Sequence, residues 1–166
     1  MAKKKTTHEC GKFKNEINTA LYNDATIREF LFGDTSGFTN SELIKLFRDH
    51  VKSHLFIDDT IEETDTFIFY DITMPQLHEN VKNCQVILYA ICHRDVLDDY
   101  EAEGYYGNRA DVLSQMVEDC LINDEKVANS FGIGELNLDS VDIYNSRNFY
   151  GRVLVFSVPN FRKING

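Results

Sequence analysis

The chain has 166 residues, 43% of them hydrophobic, with twelve Phe, eight Tyr and a formal net charge of −10. That length fits one domain whose core needs no disulfide or metal to hold it. The acidic balance argues against a surface that coats DNA, because such binding needs a basic footprint to displace counterions.

Residues 1–14 carry Lys3, Lys4, Lys5, Lys12 and Lys14 with little to bury. They predict a mobile basic arm, either a solvated tail or one that orders on an acidic partner or nucleic acid. The arm lacks the apolar stretch of a secretory signal. No run reaches the roughly twenty apolar residues that span a bilayer. An intracellular, reducing setting without membrane contact is therefore expected.

Ile17, Leu21, Ile27, Phe30 and Leu31 give helical periodicity, interrupted near Asn23 and Asp24. The turn-rich stretch from Gly33 to Asn40 superficially suggests a phosphate loop. No Lys-Ser/Thr pair follows its second glycine, so the motif does not hold. A helix from about Ser41 sets Leu43, Ile44, Phe47 and Val51 on one stripe, with Thr39 or Asn40 as cap.

Two strands follow, Thr66 to Ile72 and Cys84 to His93, joined through Met74, Pro75 and a polar stretch. In the second, Val86, Leu88 and Ala90 face one way and Ile87, Tyr89 and Ile91 the other. An apolar strand on both faces is central, with something covering each side. The segment from Arg94 to Gly107 is a long acidic connection, and long connections in small domains are usually functional or mobile. Asn108 caps the next helix, Asp111 favours its positive end, and Leu113, Met116, Val117, Cys120 and Leu121 form its buried stripe. Glu135 to Asp139 alternates as a half-exposed strand with Leu136 and Leu138 inward, and Tyr150 to Val158 is a final strand that Pro159 should stop.

The fold class predicted is α+β: a mostly antiparallel four-stranded sheet with helices packed on it, in the order α-α-β-β-α-β-β. The expected division is an arm at 1–14, a single domain at 15–161 and a short C-terminal tail at 162–166.

Candidate chemistry is sparse. Cys10, Cys84, Cys92 and Cys120 form no CxxC motif and read as small buried hydrophobes. His50 and His54 have metal-ligand spacing on a helix, but the glutamate of a metalloprotease motif is missing. Cys92 and His93 are neighbours on a strand and point to opposite faces, which disfavours a nucleophile–base pair. The carboxylates between Asp95 and Glu103 lack the ligand spacing of a calcium loop. Gly132 and Gly134 neither follow a strand nor open a helix, so they are no dinucleotide motif. There is no serine elbow. No metal or cofactor is expected.

Four runs carry a resemblance: Tyr89 to His93 ending a strand, Gly107 to Leu113 opening a helix, Phe131 to Leu138, and Tyr150 to Phe156. Over roughly residues 66–161 the chain resembles the tail-terminator and head–tail joining (neck) proteins of tailed bacteriophages and prophages. The resemblance implies a non-enzymatic subunit of a ring, commonly hexameric, at the tail or neck of the virion. Its partners would be tail-tube and neck proteins, with DNA passing through unbound, after synthesis in the host cytoplasm. The connection at 94–107 departs from the family in being acidic and rich in tyrosine. Its residues Asp98, Asp99, Tyr100, Glu101, Glu103, Tyr105 and Tyr106 are the candidate partner contacts, since tyrosine offers broad contact area at modest entropic cost. A competing reading is an intracellular adaptor or regulatory domain that binds through this loop. A third is an enzyme using Cys92, His93 and nearby carboxylates.

Overall fold

A computed structural model describes residues 6–57, 63–77, 82–98, 100–124, 127 and 136–161. In chain order its elements are α1 (Thr6–Asn23), α2 (Ala25–Phe32), α3 (Asn40–His50), β1 (Val51–Lys52), β2 (Thr66–Leu77), β3 (Lys82–His93), α4 (Arg109–Asn123), β4 (Asn137–Asn145) and β5 (Phe149–Phe161). The fold is α+β, as expected. The sheet has five strands rather than four, in the order β1-β2-β3-β5-β4. It is mixed, because the two-residue β1 runs parallel to β2 while the other pairings are antiparallel.

Helix α1 begins inside the segment expected to be an arm. Phe13 is buried and continues the stripe of Ile17 and Leu21 one turn towards the N-terminus. Lys14 is anchored too, its Nζ 2.7 Å from Asp71 and 2.8 Å from the Ser53 carbonyl. From Thr6 onward the expected arm is therefore part of a packed helix. Its first five residues lie outside the described ones, as do residues 162–166 of the expected tail.

Capping explains the helix boundaries. Asp24 ends α1 and starts α2, its carboxylate accepting from the Ile27 amide at 2.9 Å. Gly33 closes α2 at φ 68, in the left-handed region that costs glycine nothing. Thr39 with Glu42 and Asn108 with Asp111 form reciprocal capping boxes at α3 and α4.

One face of the sheet carries the helices, and the main core lies between. Ile68, Tyr70, Val86, Leu88, Leu154 and Phe156 meet Ile17, Leu21, Leu113 and Val117 there. Each such side chain, fully buried, stabilises the fold by roughly 1.5–3 kcal/mol relative to exposure. Tyr70 ties α1 to β2: its hydroxyl lies 2.6 Å from Asn18 Oδ1 and 3.0 Å from the Lys14 carbonyl. The opposite face holds a smaller cluster, Phe67, Phe69, Ile91 and Phe149, with Leu55, Ile57, Tyr89 and Tyr144 packed against it. Strand β3 is thus apolar on both sides, as its sequence predicts.

Both prolines lie within strands rather than at their ends. The β2–β3 register shifts between Thr73 and Gln76, across Pro75. The β3–β5 register shifts between Cys84–Val158 and Lys82–Phe161, across Pro159. A bulge leaves a residue outside the ladder, which is where a residue without an amide hydrogen fits. Pro159 therefore bends the last strand without stopping it.

Candidate interaction surface

The 97–108 connection is held down by its own chain. Gly104 and Gly107 turn it at φ 83 and 109. At Gly107 a side chain is also excluded, because a Cβ there would lie 2.7 Å from Asp111. Arg109, the first residue of α4, donates from Nε to Thr66 Oγ1 at 2.7 Å. Its guanidinium sits 4.7 Å from the Phe30 ring centre and 5.2 Å from that of Tyr100. The Phe30 and Tyr100 rings are 4.4 Å apart. Gln115 holds the other end, accepting from the Tyr106 amide and donating to the Tyr106 carbonyl.

The expected contact residues consequently divide. Tyr100 and Tyr105 are half-buried against the core, and Tyr105 donates to Asp119 at 3.4 Å. Burial first, then the Asp119 charge, pushes the Tyr105 phenol above its ordinary value. Asp98, Glu101 and Glu103 are exposed, and Tyr106 is 80% exposed. Asp99 lies outside the described residues. Among its described residues the loop therefore presents the carboxylates of Asp98, Glu101 and Glu103 and the ring of Tyr106.

A second surface runs along the sheet. Strand β4 is an edge strand on which Val141 and Ile143 are 49% and 61% exposed, although both lie on the helix-bearing face. Among the described residues β4 packs extensively only against β5. At the opposite edge, β1, α1 and α3 border a groove of about 540 Å³ lined by Tyr22, Ile44, Phe47, Arg48, Val51 and Lys52. Neither feature is legible as a surface in the residues alone. The two residues of β1 carry no period, and a bulge between Leu138 and Ser140 breaks the alternation that would have extended β4 past Asp139.

The groups singled out for chemistry are occupied structurally. His50 ends α3, buried, with Nδ1 3.0 Å from the Thr66 carbonyl and its ring stacked on Phe67. His54 follows β1 and lies against Phe69, so the two histidines do not share a helix face. Among the described residues no three His, Cys, Asp or Glu side chains converge as a metal site. Cys84, Cys92 and Cys120 are buried, and burial pushes the Cys84 and Cys120 thiols up to about 12. These thiols stay protonated near neutral pH and act as apolar fill. Gly132 and Gly134 lie outside the described residues. Among those described, no helix is long and apolar enough to cross a membrane.

Residues 15–158 match the family model described as YomW, a name from a phage or prophage region. No curated protein and no solved structure matches the chain.

Proposed function

The chain belongs to the YomW family, and on that premise we propose that it is a non-enzymatic subunit forming a ring at the tail or neck of a tailed phage or prophage particle. The observation that carries this reading is the pair of sheet edges left unpaired among the described residues, one of them lined by exposed Val141 and Ile143. Exposed apolar side chains on an edge strand invite pairing with another chain unless a partner covers them. A ring presents such edges to its neighbours and buries them.

The charge of −10 supports the same reading. A channel wall that must let DNA slide past gains from like charge, which keeps the phosphate backbone from adhering. The tail terminator or head–tail joining position is the specific site proposed, with tail-tube and neck proteins as partners and the virion as destination. Sedimentation of the purified protein, alone and with tail-tube protein, tests this. A ring-sized species in either sample is expected, and a monomer under both conditions would count against it.

Tyr106, 80% exposed beside Glu101 and Glu103, favours a second reading as an adaptor that binds a basic partner through the loop. That reading requires one-to-one binding and no self-assembly.

A further inference from the structure

The ladder of the sheet aligns its two edges residue by residue. Val51, Ile68, Ala90, Arg152 and Ile143 form one continuous cross-strand row. Lys52, Phe69, Tyr89, Val153 and Asp142 form the next. The first row lies on the helix-bearing face and the second on the opposite face, because side chains alternate along each strand. Each row thus begins at β1 and ends at β4. One ends in two apolar residues, and the other ends in opposite charges.

Strand directions complete the match. β1 is parallel to β2, and three successive antiparallel pairings then leave β4 antiparallel to β1. A second copy displaced along the sheet would bring its β4 beside β1 of the first in the antiparallel sense. Continuing both rows would set Ile143 beside Val51 and Asp142 beside Lys52.

The surroundings fit as well. Val141 and Ile143 would enter the helix-side groove lined by Tyr22, Ile44 and Phe47, where Ile44 is 41% exposed. Strand β4, Asn-Leu-Asp-Ser-Val-Asp-Ile-Tyr-Asn, carries Asp139 and Asp142 and no basic residue. The groove has Arg48, Lys52 and His54 on its lining and no carboxylate. Among the described residues neither Lys52 nor Asp142 forms an ion pair.

The geometry points to a head-to-tail interface in which β4 of one copy pairs with the β1 edge of the next, seats Val141 and Ile143 in its α1–α3 groove, and matches Asp142 to Lys52. This deepens the reading of the chain as a ring subunit and rests on it. A heterologous contact of this kind closes into a ring when the rotation per copy permits.

Charge reversal tests it. Lys52→Asp makes every contact Asp against Asp, and Asp142→Lys makes every contact Lys against Lys. Opposed like charges across strands destabilise pairing, so each variant alone should self-associate roughly tenfold more weakly than wild type. Mixed in equal amounts, the two variants should assemble again, because alternating copies place Asp opposite Lys at every contact. Sedimentation velocity over a concentration series reads all three samples, and recovery in the mixture shows that both variants are folded. Undiminished assembly of either variant alone, a mixture that stays apart, or a wild type that never self-associates would each overturn the interface. A ring inside phage particles whose subunits meet through other surfaces would remove this interface and leave the functional reading standing. Alternating assembly by a chain absent from particles would do the reverse.

Discussion

Arg109 and Thr66 meet at 2.7 Å, the guanidinium donating to a hydroxyl that is fully buried at the start of β2. This contact joins the first turn of α4 to the sheet, as does the 2.8 Å pair of Asp111 with Arg152 of β5. The Arg109 guanidinium also lies against Phe30 of α2 and Tyr100 of the acidic loop. Arg109→Ala should therefore destabilise the domain by about 2–3 kcal/mol, from the lost charged hydrogen bond and the lost ring contacts. Arg109→Lys keeps the charge without the planar fork and should recover less than half of that loss. Denaturant unfolding gives the magnitudes. Hydrogen exchange across residues 100–108 should speed up in both variants, and unchanged exchange would mean that Arg109 does not hold the loop.

Gly151 stands opposite Ile91 in the antiparallel β3–β5 ladder. A Cβ at this position would lie 2.1 Å from the Ala90 carbonyl oxygen and 2.7 Å from the Ile91 Cα. These are backbone atoms of a central strand and cannot move aside cheaply. Gly151→Ala should cost about 1–3 kcal/mol or more, as overpacking does. Gly37→Ala serves as the contrast, since nothing lies within 4 Å of a Cβ there. Its effect should stay within about 0.5 kcal/mol. Equal unfolding midpoints for the two variants would contradict this close approach of the paired strands.

The buried thiols give a pH dependence with a definite sign. Burial raises Cys84 and Cys120 from an ordinary value of 9.0 to about 12. The unfolded chain loses these protons first, so the folded state holds more protons between those values. The contribution of these two thiols to stability should be level below about pH 8 and be lost as pH rises from about 9 towards 12. Replacing both residues with Ala should flatten the decline, although cavities would lower the whole curve. A thiol reagent near neutral pH should label half-buried Cys10 first and the three buried cysteines only on unfolding. Prompt labelling of Cys84 in the folded protein would contradict its burial.

Much of this architecture can be read from residues alone. The Asn108 cap, the apolar stripe of α4 and the two-sided β3 are strong local signals, and the structure bears them out. Other elements depend on distant contacts. Two-residue β1 exists because Val51 and Lys52 find Ile68 and Phe69. The first turns of α1 hide among lysines until Phe13 is packed and Lys14 meets Asp71. Prolines that look like strand ends are absorbed by bulges. The loop between 97 and 108 was legible as acidic and aromatic, but its division into anchoring Tyr100 and Tyr105 and exposed Tyr106 requires knowing where Phe30 and Asp119 lie.

The exposed carboxylates of that loop should matter for docking and not for folding. Neutralising Asp98, Glu101 and Glu103 as Asn, Gln and Gln should change stability by no more than about 0.5 kcal/mol, because exposed charges contribute little. Binding to a basic neck or tube surface should weaken and lose much of its salt dependence. Tyr106→Ala should weaken the same binding with the salt dependence retained. Identical binding by both variants would place the partner-facing surface elsewhere, with the sheet edges as the remaining choice.

Whether the chain is built into a phage particle is the most direct question, and mass spectrometry of purified, intact particles answers it. The protein should be present after nuclease treatment and density banding, at a fixed multiple per particle consistent with a single ring, and image reconstruction should place that ring at the tail or neck. Particles that are complete and infectious yet contain none of it would contradict the structural role.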